Sequence, residues 1–267
     1  MLEIEQYFNG SATSDSAAGD ANIFLQNVLV EVIAENYKQM LYEWIFLEHH
    51  KNGRLLDPPI RANERVMSGL FGNAISAIAE RSRPEVRIDK FDLQTQDIQD
   101  QEAESNNLAQ SKVGRIDYLA WYSSRTFGIE LKMVGMNCES CEVSQRVENK
   151  WKTVVTQAKD AQNWLRERQR DDKIRYPNPI SIGLMVVVGR RAINSQTDQL
   201  DKKKNEKRQE FLDSLKTLRP RPQFIASYNF PEEFSKPARI VHGAPGSNEI
   251  FIPFIAFIAR SVVNSKN

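Results

Sequence analysis

Cysteine is nearly absent. The 267 residues hold two, Cys138 and Cys141, too few for the disulfide framework of a small secreted domain. Histidine is almost as scarce, with His49, His50 and His242 the three copies, so a zinc centre using both thiols would have to recruit imidazoles from far along the chain. No apolar run approaches membrane length. Residues 250–259 reach about half of what a spanning helix requires, and Pro253 interrupts them. The first residues, Met-Leu-Glu-Ile-Glu-Gln, lack the basic and then apolar pattern of a signal peptide. Neither sign of charge dominates: 36 basic and 35 acidic residues give a net charge of +1, so any field for a charged partner must come from local distribution. No glycine-rich loop of the Walker type occurs, which argues against ATP-driven work. A soluble protein of a reducing compartment is expected, most simply a cytoplasmic one with no membrane partner.

What is present is an ordinary globular composition, 40% hydrophobic and 27% charged, in a chain long enough for one large domain. Residues 9–20, rich in Gly, Ser, Ala and Asp, read as a loop. Phe24, Val28, Val32, Tyr37, Leu41 and Ile45 recur at helical spacing and predict one helix, or two in series, over 22–50. A second helix is expected over about 62–81, with Pro84 closing it, followed by a short strand at 85–88. Residues 92–112 are polar and acidic and read as a long solvated loop. Two β-like runs follow at 115–122 and 126–134. A long helix over 143–169 carries Val147, Trp151, Val154, Ala158, Ala161 and Leu165 on one face. The apolar run 179–188 suits a central strand covered on both faces. A charged helix at 195–218 and strands near 223–229 and 249–259 complete the pattern. The order implies a mixed α/β architecture.

The two β-like runs carry the chemistry. Ile116, Tyr118, Ala120 and Tyr122 share one face of the first, and Phe127, Ile129, Leu131 and Met133 one face of the second. The opposite faces hold Arg115, Asp117, Leu119 and Trp121, then Gly128, Glu130 and Lys132. If Ser123-Ser124 is a two-residue turn, opposing residue numbers sum to 247. Asp117 then faces Glu130, with Cβ atoms about 5 Å apart, and Lys132 lies two residues further on. Ser-Ser is not the favoured sequence for such a turn. Two opposed carboxylates repel unless a divalent cation lies between them, and Mg²⁺ is typically held by one or two carboxylates with water and phosphate completing its shell. A neighbouring lysine can orient the attacking water and stabilise phosphate charge. Charged residues also alternate on the solvent faces of strands, and three residues alone favour that plainer reading. The apolar character of both strands, and the helix and buried strand after them, weigh toward a site.

Asp117 followed by Ile129-Glu130-Leu131-Lys132 resembles the signature of the PD-(D/E)XK nuclease superfamily, which includes many restriction endonucleases and DNA-repair nucleases. The resemblance covers about half the chain, and Ile116 stands where many members have proline. It implies a restriction-endonuclease-like core of helix, three strands, helix and strand over 60–188. A helical N-terminal extension at 1–58 and a C-terminal helix and strands at 189–267 would complete a single nuclease domain. It also implies that Asp117, Glu130 and the Leu131 carbonyl hold Mg²⁺, with Mn²⁺ as a substitute. Lys132 would assist the water, and an acidic residue of the preceding helix would contribute, Glu64 first and Glu80 in reserve. The implied activity is hydrolysis of DNA phosphodiester bonds, endonucleolytic and on double-stranded DNA, with a homodimer following if cutting is symmetric. The alternatives are a catalytically silent nuclease-fold module for nucleic-acid binding or assembly, and an RNA-directed or exonucleolytic relative.

Lys150 and Gln157, two turns apart on the long helix, are candidates for phosphate contact, since some relatives use this helix so. A solvated polar face is the plainer account. Arg190-Arg191 and the run Lys202-Lys203-Lys204 with Lys207 and Arg208 form a basic concentration suited to a DNA backbone or to simple exposure. Cys138 and Cys141 read most simply as two thiols in a loop.

Overall fold

The computed structural model describes residues 2–8, 16–49, 64–89, 113–192, 200–230, 250–251 and 254–262. The acidic segment 92–112, the side chains of Lys202, Lys203, Lys204 and Arg191, and all three histidine side chains lie outside what is described.

Strand β1 (Leu2–Gln6) leads to the long helix α1 (Ser16–His49) and then to α2 (Glu64–Ile78). Strands β2 (Arg81–Asp89), β3 (Val113–Tyr122) and β4 (Arg125–Asn137) follow in succession. Helix α3 (Gln145–Asp171) leads to β5 (Ile180–Ala192), and α4 (Leu200–Leu215) to β6 (Phe224–Asn229), β7 (Ile250–Phe251) and β8 (Phe254–Val262). The strands form one mixed sheet in the order β1-β6-β8-β5-β4-β3-β2, with β7 pairing β5 off this path. Only β4 and β5 run parallel among these pairs, and α3 is the crossover a parallel pair requires.

Both faces of the sheet are covered. On one, Phe24, Leu25, Val28 and Leu29 of α1 and Leu70, Phe71 and Ile75 of α2 pack on Ile129, Leu131 and Met133 of β4 and alternate residues of β5. On the other, Val147, Trp151, Val154 and Val155 of α3 and Phe211, Leu212 and Leu215 of α4 pack on Val134 and Met136 of β4 and on Met185 and Val187 of β5. Double cover explains why residues 180–189 are buried without alternation. Helix α3 forms because its apolar residues recur every three or four positions, with Glu148 in the first turn and Arg168 and Arg170 in the last matching the helix dipole.

Several sequence expectations are corrected. The segment 16–20, expected as loop, is the start of α1, because Ala17 and Ala21 already belong to its buried stripe. The N-terminal extension, expected as helical, also holds a strand: β1 forms the sheet edge against β6, and α1 supplies core. Helix α2 ends at Ile78 rather than near 81, and β2 is longer than 85–88. Pro84 sits inside β2, opposite Tyr118, because an end strand tolerates a residue with no N–H to donate. Leu119, expected on the face opposite Tyr118, is itself buried there, 1% exposed in a cluster with Ala161 and Leu165 of α3. Ile116, expected beside Tyr118, belongs to this same cluster.

Candidate active site

The β3–β4 hairpin has the expected register. Tyr122 pairs Arg125 and Tyr118 pairs Ile129, each sum being 247. Ser123 and Ser124 turn the chain with φ of 51° and 59°, the positive values a type I′ turn demands of both central residues.

Beyond Tyr118 and Ile129 no further β3–β4 pairs form, while β3 stays paired with β2 as far as Val113 and β4 stays paired with β5 as far as Asn137. The two strands therefore part where Asp117 and Glu130 stand. Parting strips β4 of its partner on that side, and its backbone groups there need others. Side chains supply them. Asp117 Oδ2 accepts a hydrogen bond from Leu131 N at 2.8 Å, and Glu64 Oε2, from the first residue of α2, accepts one from Met133 N at 3.2 Å. The two carboxylates line up along the freed edge of β4.

Lys132 joins them. Its Nζ donates to the Leu131 carbonyl at 3.0 Å and lies 3.5 Å from Glu64 Oε1 and 3.9 Å from Asp117 Oδ2. From α3, Lys150 Nζ stands 3.7 Å from Glu64 Oε2. The cluster is partly sheltered: the Lys132 side chain is 16% exposed and that of Asp117 23%. Glu130, between Ile129 and Leu131, is 1% exposed. A carboxylate so placed is no member of a solvated charged face. Its partner in register on β5 is Gly183, where a Cβ would come within 3.0 Å of the Val154 carbonyl of α3. Glycine there lets α3 ride close over the sheet beside Glu130.

Of the expected site residues, Glu64, Asp117 and Lys132 meet, Leu131 contributes its N–H and carbonyl, and Lys150 attaches through Glu64. Glu80 does not join, because its Oε1 accepts from Ser123 N at the far end of the hairpin. Gln157 lies further along α3, with its Oε1 buried and without a hydrogen-bond partner among the described residues. The exposed Arg190 side chain folds over Gly135 and makes no hydrogen bond or ion pair with the cluster among the described residues. Cys138 and Cys141 lie, as expected, in the connection between β4 and α3, where both thiols are buried in the cluster beneath α3 and α4; burial pushes the Cys141 thiol above its ordinary range.

Sequence reasoning missed two features beside the cluster. Arg81, Arg83 and Arg87 stand exposed on β2, at one end of the sheet, a spacing that the run Arg-Ser-Arg-Pro-Glu-Val-Arg displays openly. A cleft of about 520 Å³ also opens between α2 and the β2–β3 pair, with Asp117 and Tyr118 on its wall. Tyr118 Oη donates to the Ser68 carbonyl at 2.6 Å. Burial raises its pKa from 10.0 to about 12; the Ser68 hydrogen bond works against this and the charges of Asp117 and Glu85 add to it.

Asp117, Glu130 and the Leu131 carbonyl are hard oxygen donors of the kind Mg²⁺ takes. Among the described residues, no three His, Cys, Asp or Glu side chains form a group that could hold a metal ion. The ammonium of Lys132 faces both Glu64 and Asp117, and that of Lys150 faces Glu64. No helix of the described residues is long and apolar enough to cross a membrane. No protein-family model, curated protein or solved structure matches this chain.

Proposed function

We propose that the chain is a metal-dependent nuclease of the PD-(D/E)XK, restriction-endonuclease-like type, cutting DNA phosphodiester bonds. The observation that carries this reading is the parting of β3 from β4 at Asp117 and Glu130, with Glu64, Asp117 and Lys132 gathered on the freed edge. The order α2, β2, β3, β4, α3, β5, with β5 parallel to β4, agrees with the core that the sequence resemblance implies. Asp117, Glu130 and the Leu131 carbonyl would hold Mg²⁺ or Mn²⁺, which supplies Lewis-acid stabilisation of phosphate charge and a more acidic water. The chain's own part is to align that water and the scissile phosphate with Lys132, and to keep Lys132 placed through Glu64. Lys150 offers a second positive charge at the rim.

The test is cleavage of plasmid DNA and of linear DNA with and without single-stranded tails, with Mg²⁺ or Mn²⁺, by the wild type, Asp117→Asn and Lys132→Met. The asparagine keeps an oxygen to accept from Leu131 N, so its fold is retained while the carboxylate is lost. Each variant should cut about 100-fold more slowly or worse. Cleavage at full rate in both, or none by the wild type, overturns the assignment. A silent binding module is the second reading, favoured by Lys132 Nζ resting on the very carbonyl a metal would use. A calorimetric titration with Mn²⁺ separates the two: heat that disappears in Asp117→Asn belongs to the nuclease, and no heat to the module.

A further inference from the structure

The cleft beside the cluster is half open and adjoins the site through Asp117. Ser68, Gly69 and Asn73 of α2 form one wall, Arg83 and Pro84 of β2 the other, and Asp117 lies among the lining residues. Helix interiors disfavour glycine, yet α2 carries Gly69 here, and a Cβ at that position would meet no atom within 4 Å. The open space is therefore a property of the cleft and not of a tight helix contact. Its volume of about 520 Å³ lies in the range of small-molecule sites. The Asn73 amide, exposed on the cleft wall, offers both a donor and an acceptor for the edge of a base. Arg83 at the cleft, with Arg81 and Arg87 on the same end strand, provides positive charge for a sugar-phosphate chain.

We propose that this cleft receives one unpaired nucleotide of the DNA strand whose neighbouring phosphate lies at Asp117. The inference rests on the nuclease reading and narrows its substrate. A base inside a duplex is stacked and paired and cannot enter a walled cleft unless it is extruded, whereas a base in a single-stranded tail or flap enters without that cost. The preferred substrate is then DNA carrying an unpaired segment next to the cut, rather than continuous duplex.

Binding tests this without requiring cleavage. Fluorescence anisotropy in EDTA compares a labelled duplex bearing a single-stranded tail with a blunt duplex of the same paired sequence. The wild type should bind the tailed DNA about tenfold more tightly or better. Gly69→Leu, which projects a side chain into the open space, should abolish that preference, and Gly69→Ala should keep it. Thermal melting checks that the leucine variant folds. If it does not, Asn73→Leu, exposed on the same wall, fills the cleft from outside the helix core and should abolish the preference likewise. Equal binding of the two DNAs by the wild type, or a tail preference that survives the filled cleft, overturns the inference. Cleavage of plasmid and of the tailed DNA, each with Mg²⁺, is read on the same proteins, so a nuclease that cuts but ignores the tail sinks this inference alone. A protein that prefers the tail but never cuts sinks the nuclease reading instead.

Discussion

Substituting Gly183 tests whether α3 is seated on the sheet as tightly as the site requires. In a strand, replacing glycine by alanine ordinarily stabilises, because the unfolded chain loses freedom, by about 0.4–1 kcal/mol. Here the added Cβ would lie 3.0 Å from the Val154 carbonyl oxygen, 3.3 Å from its carbon and 3.4 Å from Val155 Cα, all backbone of α3. That backbone cannot yield cheaply, since Val154 and Val155 are buried and Trp151 Nε1 anchors the same helix by donating to the Pro220 carbonyl at 2.6 Å. Overpacking of this kind costs about 1–3 kcal/mol. The clash outweighs the entropic gain, and Gly183→Ala should lose about 1–2 kcal/mol. For a domain of this size that lowers Tm by about 2–8 °C. Gly19 of α1 is the control. A Cβ there meets nothing within 4 Å, so Gly19→Ala should gain about 0.5–1 kcal/mol. Urea unfolding followed by circular dichroism measures both. A Gly183→Ala protein as stable as the wild type, or more so, would refute the close approach of α3 beside Glu130.

Two further outcomes follow from the hairpin and from the tyrosine beneath the cleft. Ser123 and Ser124 both hold positive φ, a conformation that costs an ordinary residue about 1–2 kcal/mol and glycine almost nothing, so Ser124→Gly should raise stability by about 1 kcal/mol in urea titration. With its pKa raised from 10.0 to about 12, Tyr118 keeps its proton in the folded state after the unfolded chain has lost it. Fewer protons on the unfolded state mean that stability falls as pH rises. The loss begins near pH 10 and reaches up to about 3 kcal/mol near pH 12. Tyr118→Phe should flatten this decline while sacrificing about 1 kcal/mol at neutral pH through the lost hydrogen bond to Ser68.

The hairpin was legible because two constraints act on the same few residues. Alternation places Tyr118, Ala120, Ile129 and Leu131 in one core, and a two-residue turn admits one register that keeps them there. Glu64 was legible through the resemblance, as the acidic residue opening the preceding helix. The start of α1 was not, since Ser, Ala, Gly and Asp in 16–20 read as loop until Ala17 and Ala21 are seen to pack. Nor was the length of β2, where Pro84 signals a break that an end strand overrides.

The parting of β3 and β4 is the feature that turns a hairpin into a candidate site, and it is set by residues outside the hairpin. Period-two patterning says which side of a strand each residue faces, but not how far two strands stay together. β3 follows β2 and β4 follows β5, whose eleven paired positions, Phe127–Asn137 against Ile180–Arg190, hold β4 on its own course. Once the strands diverge, Leu131 N and Met133 N are left without ladder acceptors, and each is answered by a carboxylate, Asp117 and Glu64. The same two groups that satisfy the backbone hold Lys132 between them. A substitution at Asp117 or Glu64 that cannot accept a hydrogen bond would therefore disturb strand and site together. The isosteric Asp117→Asn preserves the first and removes the charge from the second, and for that reason it separates chemistry from architecture where alanine would not.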